Sequence, residues 1–453
     1  MSLRFGTDGI RGVANEELTP QIAMALGRAA VEVLSADLVV IGSDTRRSGP
    51  MLEAALTAGV CAAGANVESL GVVPTPAVAW AGADRNAIGA MISASHNPFA
   101  DNGIKLFAPG GLKLRDDLQA EIEDRYLAHL AGVVDADTAA PTPVPVAGAV
   151  GAVQQSAGVD GWVELVTASV GPNALSGMRL VIDCANGAAA ELGPEPFRRL
   201  GAEVTVIGDK PDGVNINLGF GSTDTAALQA AVTQVGASAG LAFDGDADRL
   251  IAVDEQGQVV DGDRVLGILA ADWSANGRLR NDTVVVTVMT NLGFHRAMAE
   301  RSIDVQSTAV GDRHILAALD DRNLSLGGEQ SGHVICRDLA TTGDGVLTGV
   351  QLLDVVARTA TPFSTMAGDI MTRVPQVLRN VRLAERHPDP AAVIADDVAE
   401  VEAAFGSDGR VLVRPSGTEP LLRIMVEHID AATAESACSR LVDTATEALG
   451  EKA

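Results

Sequence analysis

Three times along the chain a short apolar run of β-forming residues meets a polar or glycine-bearing corner and then passes into an amphipathic stretch. Leu38-Val39-Val40-Ile41 runs into Gly42-Ser43-Asp44, and a helix-like segment from Gly49 to Ala63 follows. Arg179-Leu180-Val181-Ile182 runs into Asp183-Cys184-Ala185-Asn186-Gly187. Thr283 to Val288 runs into Met289-Thr290-Asn291-Leu292-Gly293, with a helix toward Glu300. Strands alternating with helices build sheets covered by helices, so the pattern predicts tandem related α/β domains. At 453 residues the chain exceeds one ordinary core.

Breaks in the pattern divide it. Ala, Val, Pro and Gly replace amphipathic sequence over 133–151, where Pro141, Pro143 and Pro145 alternate and forbid helix. A second boundary follows the strand Leu250 to Val253, and a third falls near 361–369. The expected units are 1–150, 151–252, 253–368 and 369–453: three α/β domains with mixed sheets and a smaller C-terminal α+β domain. In the last, a helix from Asp389 to Ala404 precedes two strands, Arg410 to Val413 and Leu421 to Glu427.

The net charge of -26 argues against a general nucleic-acid binder, which needs a basic face. Any phosphate site must then be a local basic exception. Cys61, Cys184, Cys336 and Cys438 form no C-x-x-C pair, so neither a disulfide framework nor a thiolate zinc site is indicated, as in a reducing cytoplasm. MSLRFGTDG lacks the apolar core of a signal peptide, and no apolar run reaches the ~18 residues of a membrane span. The chain reads as a soluble cytoplasmic protein.

Four stretches carry chemistry. In ISASHNPFADNGIK (92–105), Ser95 stands at a strand-to-loop corner beside His96, Asn97 and Pro98; Asp101-Asn102-Gly103 reads as a turn, and Ile104 to Phe107 as a strand. Lys105, past that turn, can return to the same site, although most lysines are solvated. In Asp244-Gly245-Asp246-Ala247-Asp248-Arg249, carboxylates at alternate positions can converge on one hard cation such as Mg²⁺. A calcium loop is the competing reading, since Glu255 stands twelfth from Asp244, but Arg249 occupies the place that needs glycine. In Gly327-Gly328-Glu329-Gln330-Ser331-Gly332-His333, Glu329 and Ser331 suit sugar hydroxyls or an amine, whereas alone the loop would read as surface and His333 as structural. In Arg414-Pro415-Ser416-Gly417-Thr418-Glu419-Pro420, with Arg423 beyond, guanidinium, hydroxyls and glycine N–H groups compose an anion nest. Arg11, in Phe5 to Gly12, and Ser43-Asp44-Thr45-Arg46 add further candidates, although a lone arginine is more often a surface charge.

Taken in order, SASHNP, DGDADR, GEQSGH and RPSGTEP resemble the α-D-phosphohexomutase superfamily over essentially the whole chain. Any one motif could mislead, but four in this order are highly specific. Within it, FGTDGIRG, ISASHNPFADNGIK, GGEQSGHVI, TTGDG and RPSGTEP are similar to the bacterial branch that acts on amino-sugar phosphates. Val310-Gly311-Asp312-Arg313 points the same way, because glucose- and mannose-type relatives commonly have histidine after V-G. One departure is Phe220, where that branch has cysteine.

The resemblance implies an isomerase-class phosphotransferase with its active site in a central cleft. A phosphoserine at Ser95 would interconvert glucosamine 6-phosphate and glucosamine 1-phosphate through a sugar 1,6-bisphosphate, which also serves as activator. The product would feed UDP-N-acetylglucosamine and cell-wall precursor synthesis. It implies one Mg²⁺ per subunit on Asp244, Asp246, Asp248 and a Ser95 phosphate oxygen, with Arg249 assisting. Glu329 and Ser331 would hold the sugar, and Arg414, Ser416, Gly417, Thr418 and Arg423 the phosphate that is not reacting. Lys105 is the first candidate for the proton carrier, His96 and His333 are the alternates, and Arg11 stabilises phosphate. A homodimer is also implied. The competing functions are phosphoglucomutase/phosphomannomutase and a non-catalytic phosphosugar sensor on the same fold.

Overall fold

The computed structural model describes residues 3–6, 9–132, 145–385, 387–415 and 420–450. Pro141 and Pro143 of the expected linker lie outside them.

The first sheet contains β1 (Ile10–Val13), β2 (Leu38–Ser43), β3 (Asn66–Val72), β4 (Ile88–Ile92), β5 (Asp101–Ala108), β6 (Leu112–Lys113) and β7 (Val153–Gln154) in the order β1-β5-β4-β2-β3-β7, with β6 beside β5. The second holds β8 (Arg179–Asp183), β9 (Glu203–Ile207), β10 (Ala239–Phe243), β11 (Leu250–Asp254) and β12 (Val259–Val260) in the order β12-β11-β10-β8-β9. The third holds β13 (Thr283–Thr287), β14 (Asp304–Thr308), β15 (Leu326–Gly328) and β16 (Val334–Cys336) in the order β14-β13-β15-β16. In the fourth, β17 (Gln376–Arg382), β18 (Gly409–Pro415) and β19 (Leu421–His428) run β17-β19-β18, all antiparallel.

One plan repeats in the first three sheets. A parallel trio, β3-β2-β4, β9-β8-β10 or β14-β13-β15, is extended by a strand that doubles back antiparallel: β5, β11 or β16. The parallel strands are joined by helices, as parallel crossovers require. Each antiparallel strand is joined to its neighbour by a hairpin loop, and three of the motif stretches are these hairpins. The fourth motif starts on β18, which pairs antiparallel with β19. The first sheet reaches Gln154 and the second Val260, so both run a few residues past the boundaries expected at 150 and 252.

The inner strands of the parallel trios are aliphatic because both faces are covered; β4, β10 and β13 are buried throughout, whereas the edge strands β9 and β14 are partly exposed and carry polar residues. One continuous apolar core joins the first three units, from Val40 through Phe243 to Phe363, and a separate one fills the C-terminal unit around Phe405 and Leu441. The helix Gly345–Thr359 shows how local sequence places the site. Asp344 caps it, accepting from Leu347 N (2.9 Å) and from Trp162 Nε1 (2.9 Å). Gly345 N donates to Ala247 O at 3.0 Å, which pins the aspartate loop to the start of this helix.

Two expectations need correction. Asp101-Asn102-Gly103 is strand, paired with Val13-Gly12-Arg11 of β1. Asn102 is fully buried and satisfied there, its Nδ2 donating to Ser48 Oγ at 2.9 Å, while the turn closes earlier, Asp101 N donating to Pro98 O at 3.1 Å. The helix expected from Asp389 begins at Ala395 after a short 3-10 turn, Ala392–Ile394.

The C-terminal unit is tied to the third by a buried polar knot. Asn291 Nδ2 donates to Val374 O (2.9 Å) and Glu427 Oε1 (2.8 Å), and its own N–H donates to Asp263 Oδ2 (2.9 Å). Arg410 closes the knot on Glu427.

Candidate active site

The β4–β5 hairpin brings Ser95 to the β10–β11 hairpin. Ser95 is 1 % exposed and sits in the left-handed region (φ 52°), with its Oγ donating to Asp244 Oδ2 at 2.5 Å. Gly245 makes the approach possible, because a Cβ there would lie 2.5 Å from Ser95 O. Lys105, on β5 opposite Met91, returns to the same place: its Nζ lies 2.8 Å from Asp246 Oδ2 and 3.0 Å from Asp248 Oδ2. Thr75 Oγ1 donates to the same Asp246 oxygen at 2.7 Å, a contact that no sequence motif announced.

Asp244, Asp246 and Asp248 are buried, with one carboxylate oxygen from each within 4.8 Å of the others. Their charges are unevenly held. Burial, then the neighbouring Asp248 and Asp246 charges, pushes the Asp244 carboxyl well above the usual range. Asp248 is held well below it, because Lys105 and His333 outweigh its burial. Asp246 Oδ1 and Asp248 Oδ1 are buried without hydrogen-bond partners. Converging hard oxygens with unsatisfied lone pairs fit a divalent cation that prefers oxygen. Glu255 is not part of the cluster: its carboxylate accepts from Ser364 N (3.0 Å) and Ser364 Oγ (2.5 Å), which removes the calcium-loop reading.

His96 Nδ1 stands 3.3 Å from Ser95 Oγ and 3.3 Å from Arg249 Nη1. Burial, with the Arg249 and Arg11 charges, lowers its pKa to about 4, so the ring is neutral at physiological pH. His333 is the opposite case. Burial disfavours its charge, but Asp248 (3.6 Å) and Asp312 (3.5 Å) outweigh that and raise it. Gly343 of the TTGDG stretch lets the chain lie against this ring, since a Cβ would come within 2.4 Å of it. Asp312 also pairs with Lys113, which joins the third unit to the first.

The β15–β16 hairpin carries Glu329, which accepts from Gly311 N (3.1 Å) and Ser331 Oγ (3.2 Å). It is bound to the aspartate hairpin where Leu250 N donates to Gly332 O at 3.0 Å. In front of these groups opens a cavity of about 840 Å³, lined among others by Arg11, Asp248, Arg249, Asp312, Glu329 and His333. That is ample for a sugar phosphate.

Arg414 and Arg423 face each other across β18 and β19. Like charges directly opposite are unfavourable unless an anion lies between them. Burial and the facing Arg423 lower the Arg414 pKa, and the Nε of both arginines is buried without a partner. Neither lines the cavity, but Glu329 is near enough to favour the Arg414 charge. Ser416, Gly417 and Thr418 lie outside the described residues. No helix among the described residues is long and apolar enough to cross a membrane. Phe220, the departure from the expected cysteine, is half-buried beside Gly208.

Four consecutive family profiles match. Phosphoglucomutase/phosphomannomutase alpha/beta/alpha domains I, II and III cover residues 2–131, 160–257 and 261–374, and the C-terminal domain covers 378–444. The chain is 49% identical over 451 residues to a phosphoglucosamine mutase of Saccharopolyspora erythraea, covering 98% of this chain and 99% of that one. It is 50% identical over 441 residues to a phosphoglucosamine mutase of Symbiobacterium thermophilum, covering 95% and 96%. A solved phosphoglucomutase/phosphomannomutase family protein of Burkholderia thailandensis matches with a TM-score of 0.79 at 25% identity, covering 98% of each chain. The hairpin plan, the loops it presents and the near-complete alignment agree: the chain belongs to the phosphoglucomutase/phosphomannomutase family, in its phosphoglucosamine mutase branch.

Proposed function

We propose that this chain interconverts glucosamine 6-phosphate and glucosamine 1-phosphate, with Ser95 carrying the phosphoryl group. The observation that carries this reading is the convergence of Ser95 Oγ, 2.5 Å from Asp244, with the buried Asp246 and Asp248, of which Asp248 lines the cavity together with Arg249 and Glu329. In the forward direction the sugar O1 attacks the phosphorus on Ser95. The O1–P bond forms as the Oγ–P bond breaks, and the hydroxyl proton passes to a protein group. The 1,6-bisphosphate then turns over in the site, Ser95 Oγ attacks the phosphorus on O6, and a proton returns to O6.

Phosphoryl transfer requires positioning and charge neutralisation more than covalent help. Asp244, Asp246 and Asp248 would hold Mg²⁺ together with an oxygen of the Ser95 phosphate. Bound there, the ion neutralises charge on the transferring group. Arg249 and Arg11, whose charges both act on His96 next to Ser95 in the chain, would hold phosphate oxygens. Lys105 is the leading proton carrier, because its Nζ reaches Asp246 and Asp248; it takes the hydroxyl proton as the free amine and returns it as the ammonium. His96, neutral at physiological pH, and His333, whose pKa Asp248 and Asp312 raise against its burial, are the alternates. Glu329 and Ser331 would grip the sugar in either orientation. Arg414 and Arg423, with the 416–418 loop, would hold the phosphate that is not reacting. The facing guanidiniums with unpartnered Nε atoms support that assignment.

The test is a coupled assay with Mg²⁺ and a trace of sugar bisphosphate, comparing glucosamine, glucose and mannose 6-phosphates. Glucosamine 6-phosphate turns over fastest, the purified chain carries one phosphoryl group on Ser95, and Ser95→Ala abolishes both. Full turnover by Ser95→Ala removes the phosphoserine reading, and faster turnover of glucose or mannose 6-phosphate removes the amino-sugar assignment.

A further inference from the structure

Two side chains outside the reacting set grip the backbone of the Ser95 loop from different units. Arg46 is 1 % exposed, a depth at which a guanidinium is stable only when fully partnered. Each of its five N–H groups has an acceptor. Nε donates to Asp44 Oδ2 at 2.8 Å; Nη2 donates to the carbonyls of Ser95 (3.0 Å) and Asn97 (2.8 Å); Nη1 donates to the carbonyls of Asp101 (3.1 Å) and Pro98. Asp44 extends the grip, accepting from Ser93 Oγ at 2.6 Å, and Ser93 Oγ accepts from Ser95 N at 2.9 Å. From the second unit, Asn217 Nδ2 donates to the carbonyls of Ser95 (2.9 Å) and Asn97 (3.1 Å).

These bonds hold a conformation that the loop would not adopt unaided. Ser95 has φ 52°, a backbone state costing about 1–3 kcal/mol for a residue with a side chain. A fork of donors reaching four carbonyls in one tight loop fixes that loop's curvature as well as its place. With Ser95 O anchored from two sides, and Ser95 N from a third, the Cα–Cβ bond has one direction left, toward Asp244.

We propose that Arg46 and Asn217 are positioning residues for phosphoryl transfer. They hold Ser95 Oγ in line with the aspartate loop, and Asn217 makes that alignment conditional on docking of the second unit against the first. Neither touches the substrate. The inference rests on Ser95 being the phosphoryl carrier, and it adds which groups set the carrier's geometry.

The test uses the full chain, with Arg46→Lys and Asn217→Ala compared with the parent. It measures kcat and KM for the phosphosugar, the rate at which sugar 1,6-bisphosphate phosphorylates Ser95 (by intact mass), and Tm. Lysine keeps the charge against Asp44 but loses the fork. A misplacement near 1 Å is expected to slow transfer about 100-fold, with Asn217→Ala slowing it roughly tenfold. KM stays within about twofold, because no substrate contact is removed. A purely structural role would instead lower Tm while leaving kcat per folded molecule unchanged, and that outcome overturns the proposal. Should Arg46→Lys fail to fold, half-buried Asn217→Ala decides alone. A parent that takes up no phosphate at Ser95 overturns the phosphoserine reading and this inference together. A competent parent matched by its variants overturns this inference only.

Discussion

Replacing Lys105 with methionine keeps a long side chain and deletes an ammonium whose side chain is 4% exposed, 2.8 Å from Asp246 and 3.0 Å from Asp248. At an effective dielectric of ~20, unit charges about 3 Å apart attract by about 5–6 kcal/mol. Desolvation offsets part of this, and removing one partner of a buried pair costs about 3–5 kcal/mol. Urea unfolding near neutral pH with a chelator should show that loss. Excess Mg²⁺ should then recover more stability in the variant than it adds to the parent. Without the ammonium, a cation is the remaining compensation for the clustered carboxylates, so linkage is stronger. The pH dependence has a definite sign. A carboxyl held below its ordinary value, as Asp248 is, contributes stability above the unfolded pKa that is lost as pH falls through the folded one. The gap between parent and variant is therefore full at neutral pH and closes below about pH 4. A loss under about 1 kcal/mol in chelator, of the size seen for exposed pairs, or equal Mg²⁺ increments in both proteins, would refute the reasoning.

Arg414→Ala should raise KM for the phosphosugar about tenfold or more, since a charge-assisted phosphate contact is worth about 1.5–3 kcal/mol, while kcat falls less; an unchanged KM tells against the distal clamp. Asp263→Asn should flatten the decline of stability with pH. Burial pushes this carboxyl from 3.8 to about 7, so the folded chain keeps a proton that the unfolded chain releases. Stability is full below about pH 4 and falls by roughly 4 kcal/mol as pH rises to about 7. Asparagine can still accept from Asn291 N, and an undiminished pH slope in the variant would show that Asp263 is not its source.

The architecture was legible because it rests on local chemistry. Aliphatic runs ending at glycine or aspartate corners become strands wherever helices can cover them, and the repeat of that unit announced related domains. The alternate aspartates were equally plain, since three carboxylates between two apolar runs have few uses. Local signals failed where a distant partner was needed. Asp101-Asn102-Gly103 has the composition of a turn, yet β1 supplies hydrogen bonds that make it strand, and Ser48 satisfies the buried amide of Asn102.

Residue order alone supplies the inventory: a serine, a carboxylate trio, a Glu-Gln-Ser loop and an arginine loop, in an order that marks the family. Folding puts the first three of these stretches on hairpins leading into β5, β11 and β16, so that Ser95 and Asp244, 149 residues apart, meet at 2.5 Å. It also decided the protonation pattern, with Asp244 raised and Asp248 lowered although both belong to one six-residue loop. Burial and the placement of Lys105 and His333 set those charges, and neither has a signature in the order of residues. Arg46 and Asn217 belong to the same category. Their donors matter only because the fold carries the Ser95 carbonyl to them.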